Sequence, residues 1–152
     1  MQVKIKRIDT TLPLPVYKTA GSVCFDLPVR EGAVINPGEL ARLPLNVVVQ
    51  TPAGYMLMLV PRSSLPAKKL GLIYPHGVGV IDQDYCGPED EIKLQVMNAS
   101  SLPITIERGE VIAQAGFVRM DKAELVEEYE LAAVSRGGFG STDKIVISEK
   151  LI

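Results

Sequence analysis

Apolar and polar residues alternate one for one in several short runs of this chain, and that rhythm restricts it to a β fold. Ala41, Leu43, Leu45, Val47 and Val49 share one parity, with Arg42, Asn46 and Gln50 on the other. Ile92, Leu94 and Val96 alternate with Glu91, Lys93 and Gln95, and Val111, Ala113, Ala115 and Phe117 repeat the pattern. Val3 and Ile5 do so against Lys4 and Lys6. Side chains of a strand point to opposite faces in turn, so each run can bury one face and wet the other. Tyr55 to Val60 is continuously apolar, which suits a strand covered on both sides. The 13 Gly and 11 Pro are scattered between these runs, marking many turns between short strands.

Two segments could be helical. In Ser63-Ser64-Leu65-Pro66-Ala67-Lys68-Lys69-Leu70, a hydroxyl cap, an early proline and the following Gly71 predict one or two turns. Ala123 to Leu131 is Glu-rich, yet Leu125, Tyr129 and Leu131 share a parity, so a strand is expected there. No βαβ alternation appears, and the expected class is all-β: a jelly-roll sandwich or barrel with one short helix. With 152 residues, one core is the expectation. Residues 1–135 would form the β domain, and 136–152 a Gly-rich, mobile C-terminal arm.

Composition narrows the function. Apolar residues make up 47% of the chain, which argues against disorder. No apolar stretch reaches the roughly 20 residues of a membrane span, and the N-terminus lacks the apolar segment of a signal peptide. The formal net charge of −2 carries no basic stripe, so neither nucleic acid nor a membrane is the expected partner. Cys24 and Cys86 lie too far apart for a zinc ribbon or a CxxC pair. They read as buried free thiols in a reducing, cytoplasmic setting.

Five segments carry polar residues that a β sandwich does not need for folding. In the first, Asp26 sits between Phe25 and Leu27, where a carboxylate facing inward needs a partner; a turn Asp is the plainer account. In the second, Arg62, Ser63 and Ser64 stand where a strand meets a helix start, suited to an anion or simply to capping. The third, Gly77 to Gly87, runs an apolar strand into Asp82, Asp84 and Tyr85. That layout suits a hairpin whose exposed edge pairs with a planar base beside a carboxylate able to orient water, although it also fits an Asp/Gly turn. In the fourth, after the turn at Arg108-Gly109-Glu110, Gln114 lies one parity out from buried Ala113 and Ala115. In the fifth, Arg136-Gly137-Gly138-Phe139-Gly140-Ser141-Thr142-Asp143, glycines let amides approach phosphates and Phe139 has no core to occupy. It lacks the Gly-Lys-Ser/Thr ending of a Walker A loop.

In this order the five segments resemble the five motifs of the trimeric dUTP pyrophosphatase (dUTPase) family, across Ala20 to Asp143. The resemblance implies Mg²⁺-dependent hydrolysis of dUTP to dUMP and pyrophosphate in a homotrimer. Asp82 would orient the water that attacks the α-phosphorus, with Gln114 near that phosphate and the water. Tyr85 would pack beneath the deoxyribose and leave no room for a 2′-hydroxyl, while the backbone of Gly77, Val78, Gly79 and Val80 mimics a pairing partner for uracil. Arg62, Ser63 and Ser64 would hold phosphate, and Asp26 would brace the others. Phe139 would close over the base, with Gly140, Ser141 and Thr142 covering the phosphates. No metal ligand is implied in the chain, because Mg²⁺ is held mainly by the triphosphate.

The sequence departs from that pattern twice. The family's last-motif Arg commonly precedes the aromatic by five residues, which is Val134 here; Arg136 precedes Phe139 by three. Pro88-Glu89-Asp90 follows Gly87 where many members pass straight into the next strand. His76, the single histidine, reads as a structural or rim residue. Of the rivals, dCTP deaminase resembles the same Arg-Ser-Ser-Leu and Ile-Asp segments. It needs a Glu to shuttle protons in the following strand, where this chain carries Gln95. A non-catalytic jelly-roll nucleotide binder would have no use for Asp82, Gln114 and Phe139 together.

Overall fold

A computed structural model describes residues 1–131, 135, 137 and 138. The chain divides into two compact units, Met1–Lys122 and Ala123–Ile152. The first holds eleven strands and one helical turn, in four sheets whose described pairings are all antiparallel. This is the expected all-β, jelly-roll-like architecture.

Strands β1 (Ile5–Arg7) and β5 (Val47–Val49) pair, as do β3 (Ala33–Ile35) and β10 (Ile104–Ile106). A three-stranded sheet runs β4 (Leu40–Pro44), β9 (Lys93–Asn98), β7 (Leu72–Ile73). The sheet that matters most for function runs β2 (Phe25–Pro28), β11 (Val111–Arg119), β6 (Tyr55–Pro61), β8 (Gly79–Ile81). The helix α1 is Leu65–Lys68.

The alternating residues supply the core. Leu43, Leu45, Val47, Val49, Ile92, Leu94, Val96, Ala113 and Ala115 are all buried, joined by Leu27, Val29, Ile35, Leu57, Ile106 and Ile112. Fully burying each branched aliphatic side chain contributes about 1.5–3 kcal/mol, so these positions fix which face of each strand points inward. The run from Ala41 to Val49 is nonetheless two strands. Asn46 takes φ 67° between them, and its side chain bonds the Asp9 N–H (2.7 Å) and C=O (3.0 Å). Asn tolerates that left-handed backbone better than most residues, because its short amide can bond locally. A register shift between Val111 and Ala113 lets both Ile112 and Ala113 turn inward.

Four expectations need correcting. Tyr55 to Val60 is not covered on both sides: Leu57 and Leu59 are buried, but Met56, Met58 and Val60 are half-buried. The third segment is not a hairpin. Strand β8 pairs with β6, and the chain then turns and enters β9 in a different sheet. Cys24 and Cys86 are free, as expected, but half-buried. Residues 123–131 form neither strand nor helix; Leu125, Val126, Tyr129 and Leu131 are exposed there. Alternation shows what a strand could bury, but a strand also needs a partner, and these residues have none among those described.

Candidate functional site

Strand β6 carries a polar cluster at its C-terminal end. It passes through Pro61 into Arg62, whose amide bonds the Ile112 carbonyl of β11 at 3.1 Å. The register sets Gln114 of β11 opposite Asp26 of β2 on one side and Val60 of β6 on the other. Asp26 is buried, and its Oδ1 lies 3.1 Å from Arg62 Nε. Asp26 is thus the inward carboxylate with a partner, not a turn residue. Its second oxygen, Oδ2, is buried and has no hydrogen-bond partner among the described residues. A buried polar atom normally finds a partner, so an unused acceptor beside a guanidinium is a place where a ligand or its water shell could bind. Gln114 Nε2 donates to the Pro61 carbonyl at 3.1 Å, leaving its side-chain oxygen free of described partners.

Ser63 and Ser64 follow Arg62. Ser64 stands at the N-cap of α1 but makes no side-chain capping bond, and Ser63 is exposed. The helix spans four residues, so its dipole adds little; hydroxyls not committed to capping remain available to an anion. Gly71 ends the segment at φ +88°, where a Cβ would meet Ser100 Cβ at 2.6 Å.

The second group of residues surrounds β8, which lies at the edge of its sheet and has one side without a ladder partner among the described residues. Gly77 adopts φ +70° in the turn that leads into it, bonding back to the Tyr74 carbonyl at 3.3 Å. Gly79 lies against β6 so closely that a Cβ would meet Leu59 Cβ at 3.1 Å. Val78 and Val80 are exposed. Asp82 and Asp84 follow, both exposed, in a turn pinned by Gln83 Nε2 on the Tyr55 carbonyl at 2.9 Å. A recess of about 450 Å³ opens here, lined by Tyr55, Met56, Val80 and Asp82 to Asp84 among others. Tyr85 is 39% exposed, and its hydroxyl donates to the Glu91 carbonyl at 3.3 Å. His76 is exposed, with Nδ1 3.5 Å from the Val78 carbonyl.

These two groups do not meet within one chain. Leu57 pairs with Ile81, so Asp82 comes level with Met56, whereas Gln114 is level with Val60 and Arg62 lies beyond Pro61. Four to six residues along a strand span roughly 13–20 Å. A base acts on a proton within about 3 Å, or through one water. Asp82 and the Arg62–Gln114 cluster are thus two separate polar groups at opposite ends of β6.

Arg136, Phe139, Gly140, Ser141 and Thr142 lie outside the described residues. Among those described, no three His, Cys, Asp or Glu side chains gather as a metal cluster. Two polar features escaped the sequence reading. Glu91, expected outward by parity, is buried under Arg30, with bonds of 2.8 Å from both Nε and Nη2. That pairing holds the Arg30 guanidinium well above its ordinary range. Tyr74 reaches the Ile112 carbonyl at 3.5 Å, and burial pushes its phenol up. Only the apolar residues around each could have hinted at either, because the partners lie far away in sequence.

Comparison with known proteins bears on this arrangement. A family model described as dUTPase matches residues 10–143. The deoxyuridine 5′-triphosphate nucleotidohydrolase of Thermobifida fusca is 38% identical over 145 residues, covering 93% of this chain and 79% of that protein. Its counterpart in Hydrogenobaculum sp. is 39% identical over 145 residues, covering 93% and 98%. Among solved structures, the dUTPase of Streptococcus mutans superposes with a TM-score of 0.71 at 31% identity, covering 79% of this chain and 98% of that one. A Staphylococcus bacteriophage 80alpha dUTPase, solved with dUPNHPP, gives 0.81 at 24% identity over 92% and 97%, a likeness of fold.

Proposed function

The chain belongs to the dUTPase family, and from that premise we propose that it hydrolyses dUTP to dUMP and pyrophosphate at a site shared between copies of a homotrimer. The observation that carries this reading is the run from β8 to Tyr85. A backbone edge without a ladder partner among the described residues, an exposed carboxylate and a tethered aromatic ring follow one another within seven residues. The free edge around Gly77 to Val80 suits the flat hydrogen-bonding face of uracil. The Tyr85 ring beside it would fill the space that a ribose 2′-hydroxyl requires. Asp82, exposed at the recess, would accept a proton from the attacking water.

The other half-site would take the phosphates. Arg62 supplies a fixed cation, Ser63 and Ser64 supply donors, and Gln114 would orient the α-phosphate and the water. Such a reaction asks the protein mainly for positioning and for neutralisation of charge. Mg²⁺ suits these residues as an ion carried on the triphosphate, since an ion of this kind keeps water and phosphate oxygens as ligands. When bound it would neutralise phosphate charge. Asp26 Oδ2 is the buried acceptor that could receive a hydrogen bond from the ion's water shell. Phe139, Arg136 and the Gly140-Ser141-Thr142 run would close the site from a further copy. The free thiols of Cys24 and Cys86 support a reducing, cytoplasmic setting.

Deamination finds less support. Gln95 Oε1 accepts from Arg42 Nε at 3.2 Å in the β4–β9 sheet, and an amide cannot shuttle a proton. The deciding experiment incubates the protein with Mg²⁺ and each of dUTP, dCTP, dTTP and UTP, and identifies the products. Pyrophosphate and dUMP from dUTP, with little turnover of the other three, is the expected result. Deoxyuridine products from dCTP, or no turnover of dUTP, would overturn the assignment.

A further inference from the structure

We propose that Arg30 and Glu91 form a positioning device for Tyr85, and so help set the discrimination between deoxyribose and ribose; this rests on the role assigned above to the Tyr85 ring. The Tyr85 hydroxyl is bonded to one backbone atom, the carbonyl of Glu91, at 3.3 Å. The direction of the ring therefore depends on how firmly Glu91 is held.

Glu91 is held from three sides. Its carboxylate takes Arg30 Nε on Oε1 and Arg30 Nη2 on Oε2, each at 2.8 Å, a two-pronged pairing that fixes its orientation as well as its distance. The Asn46 backbone N–H donates a third bond, to Oε1 at 2.8 Å. Next in the chain, Ile92 is locked by Leu45 N–H on its carbonyl and by its own N–H on the Val47 carbonyl, both at 2.9 Å. Arg30 is anchored in turn through its amide to the Pro44 carbonyl at 2.7 Å, and its guanidinium also contacts Glu31.

The residues between Tyr85 and Glu91 transmit this order. Asp90 Oδ2 accepts the Gly87 amide at 2.7 Å, Asp90 donates to the Gly87 carbonyl at 3.1 Å, and Glu91 donates to the Glu89 carbonyl at 2.9 Å. Lys6 Nζ reaches the Pro88 carbonyl at 3.2 Å. The Pro88-Glu89-Asp90 stretch thus closes a small loop that begins and ends on the same tether. Stability alone is a weak explanation for the ion pair at its base. Glu91 is buried, but the Arg30 side chain keeps 23% of its surface in water, and solvent screening leaves a half-exposed pair worth little to stability. What the fork geometry supplies is a single direction for the Glu91 carbonyl, and through it for the ring.

The test is a mutant cycle read as the ratio of kcat/KM for dUTP to that for UTP, with thermal unfolding as the check on folding. Tyr85→Ala comes first and should lower the ratio most, which establishes the ring's role. Tyr85→Phe removes only the tether, and Arg30→Lys keeps the charge but loses the fork. At 3.3 Å the tether is long for an O–H···O bond, so each should lower the ratio by roughly 2- to 5-fold. The double variant should lie no lower than the more affected single, because both act through one bond. Should Arg30→Lys not fold, Glu91→Gln takes its place in the cycle. A ratio that moves in Tyr85→Ala yet is unchanged in Tyr85→Phe and Arg30→Lys overturns the inference alone. So does a double variant whose effects multiply. A ratio unmoved even by Tyr85→Ala overturns the sugar role of the ring, and the inference with it.

Discussion

Two inactive chains, mixed, should make an active enzyme. The first carries Asp82→Asn; the second carries Arg62→Gln with Gln114→Ala. Asp82 stands level with Met56, while Gln114 stands level with Val60 and Arg62 beyond Pro61, so the Asp82 and Gln114 of one chain lie too far apart to meet at a single α-phosphate. If each site joins the Asp82 end of one copy to the Arg62 end of the next around a three-fold axis, each site samples two chains. In an equal, random mixture, a site is intact when its Asp82 half comes from the double variant and its Arg62 half from Asp82→Asn. Each choice has a chance of one half, so about one quarter of sites in a closed cyclic trimer should work.

The assay is pyrophosphate release from dUTP by the whole population, after the two chains are co-expressed with different tags and pull-down through each tag shows that mixed oligomers form. Doubling the proportion of either chain should reduce the yield symmetrically, which a contaminating wild-type enzyme would not reproduce. Mixed oligomers that demonstrably contain both chains, yet turn over no faster than the sum of their parents, would refute the reasoning. The half-sites would then act separately, or only one of them would act at all.

Asp82→Asn alone should leave folding and dUTP binding largely intact and cut kcat by about 10²–10⁴-fold, the range for a lost general base; a loss of only a few-fold would shift the role, with Asp84 next in line. Truncation after Ala133 should abolish turnover while circular dichroism still reports a folded β protein, since every described strand lies within Met1–Lys122. Gly71→Ala should destabilise by about 2 kcal/mol, because strain at positive φ adds to a clash. The clash is with Ser100 Cβ at 2.6 Å, whereas Gly54, at φ +77° with open space around it, should lose less on the same substitution. Equal losses at the two glycines, measured by denaturant unfolding, would show that the clash relaxes freely.

Much of this molecule could be read from alternation. Leu43, Ile92, Leu94, Val96, Ala113 and Ala115 are buried where parity puts them. Parity failed where a distant partner changed what a position could hold. Glu91 shares its parity with Lys93 and Gln95, yet it is buried, because Arg30, 61 positions earlier, arrives to neutralise it. The reading also failed where strand continuity was assumed. Asn46 breaks the run from Ala41 to Val49 by adopting a conformation that no apolar neighbour would. For the site, the sequence named Asp26, Arg62, Gln114, Asp82 and Tyr85 but could not say that they fall into two groups. That division depends on which residue of β6 faces which residue of β8 and β11, a matter of register. One-residue slips in register leave the hydrophobic pattern of a single strand unchanged while exchanging its faces.

A strand is an awkward scaffold for a site that must grip a nucleotide from base to triphosphate. Each residue advances the chain by about 3.3 Å and turns to the opposite face, so neighbouring functional groups either diverge or line up in a row. In this chain the awkwardness is resolved by using both ends of one strand. The proposed base-side end has the β8 edge, without a ladder partner among the described residues, and the proposed phosphate-side end has a buried carboxylate and an amide from β2 and β11. Neither end contains the other's chemistry, so a copy meeting itself head to head would place two like halves together. Head-to-tail contact, in contrast, joins unlike halves, and such a contact either runs on as a filament or closes into a ring. A ring of three is the proposed closure. In it every half-site is used once, so no copy should turn over dUTP alone. Specific activity should therefore fall on dilution below the concentration at which the oligomer dissociates, and a value that stays constant while light scattering reports monomer would count against a shared site.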